Sequence, residues 1–180
     1  MSRKAKGFER QKQSVGNSRL EMLLFRLQNK QRFGINVFKV REVLQCPALT
    51  AVPGSHSVLK GVITIRGATI PVIDLSMAVS MGPIVDTQSA YVIVAEFNRV
   101  VQGFMVAAVE RIVHVKWDDV VSPPQSSGLD HYLTGVTMLE NDIVEILDVE
   151  KVFADINPVC ADVDSITRAG AIEQGAGKAH

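Results

Sequence analysis

Gly61-Val-Ile-Thr-Ile-Arg-Gly-Ala-Thr-Ile-Pro-Val-Ile-Asp-Leu75 lies without a gap on Gly135-Val-Thr-Met-Leu-Glu-Asn-Asp-Ile-Val-Glu-Ile-Leu-Asp-Val149. Gly61 meets Gly135, Val62 meets Val136 and Asp74 meets Asp148, while apolar residues coincide at 65/139, 70/144, 73/147 and 75/149. Each copy reads as a strand, a polar turn, a second strand and an Asp placed to cap a short helix. A repeat of this kind dictates the architecture before any catalytic motif is sought.

The repetition continues upstream. Leu23-Leu-Phe-Arg-Leu27, a turn at Gln28–Arg32 and Phe33-Gly-Ile-Asn-Val37 form one hairpin pattern. Tyr91-Val-Ile-Val-Ala95, Glu96-Phe-Asn-Arg99 and Val101-Gln-Gly-Phe-Met-Val106 form the other. At one constant offset Gly34 meets Gly103, Val37 meets Val106, Val40 meets Val109 and Val43 meets Ile112. Both copies place Pro after a short apolar run, in Leu49-Thr-Ala-Val-Pro53 and Val120-Val-Ser-Pro-Pro124. Two homologous β-subdomains follow. Strands are expected near 22–28, 32–37, 39–46, 61–66, 69–73, 90–97, 100–107, 109–117, 134–139 and 142–147. Short helices are expected after Asp74 (75–80) and Asp148 (149–156), with both aspartates acting as caps. Val37, Val40 and Val43 recur every three residues, as do Val106, Val109 and Ile112. That period fits neither a helix nor a flat strand, and it predicts a strand bent by a bulge. Such bends curl a short sheet into a closed barrel, and five strands per repeat suit one small barrel each.

The 180 residues fit one domain or two very small ones, and 47% are apolar. Nineteen basic residues balance nineteen acidic ones, which argues against a dedicated polyanion binder. Cys46 and Cys160 are isolated and fit a reducing cytosol. No apolar stretch approaches the ~20 residues needed to span a membrane, and no signal-peptide core is read. Residues 1–19 read as a flexible arm, with Arg3, Lys4, Lys6, Arg10 and Lys12, and 158–180 as a flexible tail or linker. The segment 20–157 between them is the folded unit.

The residues suggest no enzyme. His56, His114, His131 and His180 lack ligand spacing, and no Cys stands near enough in sequence to complete a zinc set. No Gly-rich phosphate loop or nucleophile elbow is present. Asp118 and Asp119, adjacent at a strand end, point to opposite faces and read as a solvated turn. His114 reads as a residue on a sheet face. Aromatic residues make up only 6% of the chain, which leaves few stacking platforms for an oligonucleotide. Arg66 stands out instead, at the turn between two apolar strands beside Gly67. The second copy carries Glu140 and Asn141 there, so the barrel itself does not demand a cation.

Leu20–Phe25, Phe33-Gly-Ile35, Val40-Arg-Glu-Val43 and the Gly61–Leu75 block resemble the CheW-like domain of bacterial chemotaxis. Val109–Val113, Trp117, Ser122-Pro-Pro124 and Ile143–Lys151 look most like the CheV subgroup. The resemblance covers about residues 20–157. It implies an all-β fold of two intertwined five-stranded β-barrels, SH3-like, with short helices. It implies a non-catalytic adaptor without cofactors or metal, cytoplasmic and associated with membrane-bound receptor arrays. The expected partners are the cytoplasmic helical tip of chemoreceptors, the regulatory domain of the histidine kinase CheA and other CheW-like proteins, with no nucleic acid and no membrane insertion. Carried over by position, Val40, Glu42 and Arg66 are receptor-facing, and Gly61 and Gly67 lie near the kinase-contacting side. The family often has Asn where this chain has Thr64, which weakens any side-chain amide role there. CheV proteins add a receiver domain, and no such α/β pattern follows here. The expectation is therefore either the amino-terminal piece of a longer adaptor or a stand-alone homologue. The competing reading, a small-molecule or oligonucleotide-binding β-barrel, requires an open lined cavity or a basic stacking face.

Overall fold

A computed structural model describes residues 18–28, 31–123 and 129–156. The arm and tail expected at the two ends lie outside the described residues, apart from 18 and 19. Within them the chain forms β1 (Arg19–Arg26), β2 (Arg32–Asn36), β3 (Val40–Gln45), β4 (Leu59–Ile65), β5 (Ala68–Asp74), β6 (Tyr91–Phe97), β7 (Val100–Val106), β8 (Ala108–Lys116), β9 (Leu133–Leu139) and β10 (Asp142–Leu147). The helices are α1 (Leu75–Ala78) and α2, residues 149–156. Every expected strand and both expected helices are found, displaced by up to three residues at their ends, the largest shift being at the start of β1 (19 rather than 22). Asp74 Oδ1 accepts from Met77 N at 3.2 Å, and Asp148 Oδ1 accepts from Glu150 N at 3.1 Å, so both aspartates cap as expected. Asp74 does more than cap. Its Oδ2 accepts from Ile84 N at 2.9 Å and lies 3.6 Å from Lys60 Nζ, which ties the loop after α1 back to the sheet.

The strands assort differently from one barrel per repeat. One sheet runs β8-β1-β2-β10-β9 and the other β3-β6-β7-β5-β4. Each therefore joins a hairpin from one repeat to three strands from the other, which is the intertwining that the family resemblance implied. The hairpin β1–β2 sits beside β8 and β10, and the hairpin β6–β7 beside β3 and β5. The expected bulges are present. The register shifts between Leu23 and Phe25 in the β1–β8 pairing, and between Val40 and Glu42 in the β3–β6 pairing.

The segments that follow β3 and β8 close the two sheets. Thr50 exchanges backbone hydrogen bonds with Val62 (3.0 and 2.8 Å), joining the end of the β3 segment to β4 across the barrel. Val121 does the same with Val136 (2.9 and 2.8 Å). These are the apolar runs before proline noted in the sequence. The paired glycines stand beneath them. A Cβ on Gly61 would lie 2.5 Å from the Thr50 carbonyl oxygen, and one on Gly135 would lie 2.5 Å from Val120 Cγ1 and 2.9 Å from the Val121 oxygen. Gly61 also has φ +149°. No other residue fits there without moving the closing segment.

Alternation along the strands then makes three cores. Ile63, Val72, Val92, Val94 and Met105 fill one barrel, and Met22, Val115 and Ile146 fill the other. Between the barrels lies the largest cluster, including Phe25, Phe33, Ile93 and Phe104. α2 inserts Val149, Val152, Phe153 and Ile156 into it, a spacing of one helical face. Phe153 meets the Phe104 ring edge-on at 5.2 Å, and Phe25 stacks on Phe33 at 5.8 Å.

Gly61→Ala is expected to cost at least about 2–3 kcal/mol, because the added methyl meets backbone and the conformation is strained. Gly67→Ala, with nothing within 4 Å of its Cβ position, is expected to cost only about 1 kcal/mol for its positive φ. Urea titration of both variants checks the ordering, and equal losses would exclude the closing contact as the cause. A pH effect follows at Glu110. Burial pushes its carboxyl up, but hydrogen bonds and charge from Arg26 and Arg32 outweigh this and hold it below the usual range. The folded protein then binds this proton less readily than the unfolded chain. Its contribution is complete above the ordinary glutamate value of about 4.3 and fades as pH falls through the lower folded value. Glu110→Gln is expected to lower the melting temperature at about pH 7 and to flatten the acid loss measured down to about pH 3.

Candidate functional site

Three two-residue hairpin turns have positive φ at both central residues: Arg66–Gly67, Asn98–Arg99 and Glu140–Asn141. The pairs Ile65·Ala68, Phe97·Val100 and Leu139·Asp142 flank them, the arrangement of turns whose twist matches that of the strands. The first two turns stand at the same end of the β3–β7 barrel. Between them lies a groove of about 490 Å³ whose lining includes Arg41, Glu42, Arg66, Arg99, Val101 and Phe153. Its floor is anchored by buried Gln102, whose Nε2 donates to the Pro71 carbonyl at 2.7 Å and to that of Gly103 at 3.1 Å.

The groove brings two of the sequence-derived positions together. Arg66 Nη2 donates to Glu42 Oε2 at 3.3 Å, with the arginine side chain 80% exposed. Val40 lies elsewhere. The bulge between Val40 and Glu42 turns Val40 onto the central core and Glu42 toward the turn. Val43, one residue past Glu42, is exposed, as is its counterpart Ile112 in β8. Gly67 is exposed at the turn, whereas Gly61 is buried near the other end of β4 under the closing segment. Thr64 is exposed and pairs across the strands with Thr69. Asp118 and Asp119 are exposed in a 3-10 turn, and His114 is exposed on β8 with Nε2 3.1 Å from Glu21 Oε1.

The structure adds charges that the sequence reading passed over. Arg41 Nη1 lies 3.4 Å from Glu96 Oε2 beside the groove. The other barrel carries the equivalent contacts with signs exchanged: Arg111 Nη2 lies 2.5 Å from Glu140 Oε1, and Arg26 Nε lies 2.6 Å from Glu110 Oε1. The signal was available in the offset that aligns Val40 with Val109, since Arg41 and Glu42 then fall on Glu110 and Arg111. What linked those positions to Arg66, Glu96, Glu140 and Arg26 was spatial. Further along, exposed Met138 and Ile143 face each other across β9 and β10, where the other barrel has Thr64 and Thr69.

Among the described residues, no group of three or more His, Cys, Asp or Glu is placed to hold a metal ion, and no helix is long and apolar enough to cross a membrane. Cys46 is half-buried, and burial pushes its thiol up. The site thus consists of exposed ion pairs on hairpin ends, over a partly apolar groove.

Comparison with known proteins identifies the family. The chain is 32% identical over 145 residues to a probable chemotaxis protein CheW of Rhizobium etli, a match covering 79% of this chain and 92% of that protein. It is 34% identical over 151 residues to chemotaxis protein CheV3 of Helicobacter pylori, covering 77% of this chain but 49% of CheV3. The fold matches that of the scaffolding protein TtCheW from Thermoanaerobacter tengcongensis, with a TM-score of 0.69 at 21% identity over 78% of this chain and 91% of that one. The family model of the CheW-like domain matches residues 21–157, and the chain belongs to that family of chemotaxis scaffold proteins.

Proposed function

We propose that this protein is a non-catalytic adaptor that couples transmembrane chemoreceptors to the histidine kinase CheA. In this reading it works in the cytoplasm at receptor arrays and needs no cofactor. The observation that carries the reading is the exposed Glu42–Arg66 pair at the rim of a partly apolar groove, on a member of the CheW-like family.

A helix docks into such a groove by burying one apolar stripe, while charges at the rim fix its direction and register. Ile65, Val101, Phe153 and Ile156 supply apolar lining, and Arg41, Glu42, Arg66 and Arg99 supply the charges. Arg66 has only a weak structural task. Exposed pairs of this kind contribute about 0–1 kcal/mol, so most of its interaction capacity remains for a partner. The receptor's cytoplasmic helical tip is the occupant proposed for this side. Glu42 and Arg66 make the polar contact, and Val40 holds the bulge against the core so that Glu42 points outward.

The kinase regulatory domain is assigned to the β4 side. Gly67 presents exposed backbone at the turn, and Gly61 lets Thr50 approach β4 and close that barrel. Other CheW-like proteins would meet the same surfaces. The chain spans about half the length of the CheV relative, so a function beyond the CheW-like part is not included in this reading.

Arg66→Glu tests the receptor contact. The equivalent turn of the other barrel already carries Glu140 at φ 53°, against 51° at Arg66, so the backbone accepts the replacement. Melting temperature is expected to fall by no more than a few degrees, since losing the pair with Glu42 and setting a second carboxylate beside it costs about 1 kcal/mol. Co-sedimentation with a receptor cytoplasmic fragment and the kinase regulatory domain is expected to fall at least about tenfold in affinity, the loss of roughly 1.4 kcal/mol at the interface. Undiminished assembly would remove Arg66 from the site. Failure of the unaltered protein to bind any receptor fragment in a panel would sink the adaptor reading itself.

A further inference from the structure

The last helix delivers the chain to the lip of the Arg66 groove. α2 closes at Ile156, and both Phe153 and Ile156 line that groove, together with residues of the β4–β5 and β6–β7 turns. The sequence that follows, beginning Asn157-Pro158, therefore starts at the groove. Pro158 is the residue type that stops a helix shortly after its end.

The next residues complement the groove in charge. Residues 157–167 contain Asp162 and Asp164 and no basic residue. The groove carries Arg41, Arg66 and Arg99 against Glu42. Arg41 and Arg66 have acidic neighbours, Glu96 at 3.4 Å and Glu42 at 3.3 Å. Arg99 stands exposed at the β6–β7 turn, with no ion pair among the described residues. The apolar pattern matches too. Val159, Val163 and Ile166 recur at i, i+4 and i+7, the stripe of one helical face, and Asp162 borders it. An isolated helix of this length is marginal in water, so such a stripe has meaning only against a surface that covers it. From Ile156 the six residues to Asp162 reach about 9 Å as helix and about 20 Å extended. Asp162 is thus able to meet a rim that encloses the same 490 Å³ as Ile156.

We propose that residues 157–167 occupy the Arg66 groove of the free chain, with Val159, Val163 and Ile166 on its apolar lining and Asp162 against Arg99. The tether makes a weak contact sufficient. A segment on a short link is present at about millimolar effective concentration, so a contact with a Kd of about 1 mM fills the groove half of the time. The consequence rests on the reading of this groove as the receptor site. The segment is then an internal competitor that a receptor helix has to displace, and it weakens receptor binding about twofold to tenfold for contacts of about 1 to 0.1 mM.

Cys160 lies within the segment and reports where it sits. In a Cys46→Ala background, a second thiol is placed in the groove by Thr69→Cys or Val100→Cys, both exposed positions of its lining. Intramolecular disulfide formation under mild oxidation is followed by peptide mass mapping at low protein concentration. Asp162→Lys with Val163→Ser, added to the same chains, keeps the tether length and removes the attraction. With at least one of the two groove thiols, the disulfide is expected to form at least about fivefold faster with Asp162 and Val163 in place than with both replaced. Equal rates at both positions mean that the tether alone sets the encounter, and they overturn the proposal. With the native cysteines, Asp162→Lys with Val163→Ser is expected to raise affinity for a receptor fragment about twofold to tenfold in co-sedimentation. Cross-linking that depends on Asp162 and Val163, beside an unchanged receptor affinity, upholds the segment in the groove and counts against the receptor there. The two readings thus fail separately.

Discussion

The backbone contact between Thr50 and Val62, repeated between Val121 and Val136, turns two five-stranded sheets into closed barrels. It requires two chain segments to approach more closely than a side chain on β4 or β9 would permit. Gly61 and Gly135 satisfy that requirement at matching positions of the repeats. With the closure in place, neither sheet has an unpaired outer edge along that stretch, and the hairpin turns are left as the exposed ends. The surface available for docking therefore follows from the closure. The turn at Arg66–Gly67 stands clear because β4 is held at its other end.

Strand exchange has a second consequence. Because each barrel holds a hairpin of one repeat and three strands of the other, neither repeat buries its apolar face without its partner. The central core takes Phe25 and Phe33 from one sheet, Ile93 and Phe104 from the other, and Phe153 from α2. The two barrels are thereby bound to each other through their shared core as well as through the chain.

Duplication also makes each barrel an internal control for the other. Where both repeats carry the same residue type, as at Gly61/Gly135, Gly34/Gly103 and Asp74/Asp148, the fold explains the residue. Where they differ, the fold tolerates both choices, and the difference is available for recognition. Arg66 against Glu140, and Thr64 with Thr69 against Met138 with Ile143, belong to this second group. The comparison also separates the two glycines assigned to the kinase side. Gly61 has a demand from packing, whereas Gly67 has only the demand of its turn, met by Asn141 in the other copy.

The positions of all ten strands and both helices could be read from the sequence. Alternation, turn residues and aspartate caps are local properties, and the repeat supplied each of them twice. The bulges were also legible, in the spacing of Val40 and Val43 and of Val109 and Ile112, whereas Val37 falls in a 3-10 turn and Val106 ends β7. Which strands would pair was not legible from those patterns. Both repeats have the same period and similar apolar faces, so the residues by themselves pointed to one barrel per repeat, and only the resemblance to a known family implied intertwining. Of the candidate site, Arg66 was visible as a charge that packing did not require, but its contact with Glu42 and the turning of Val40 toward the core depend on the bulge and on the approach of β3 to the β4–β5 turn. Those are long-range consequences of closure: short-range preferences determined the pieces of this protein, and the tertiary structure alone decided their exchange and the charges that face one another across it.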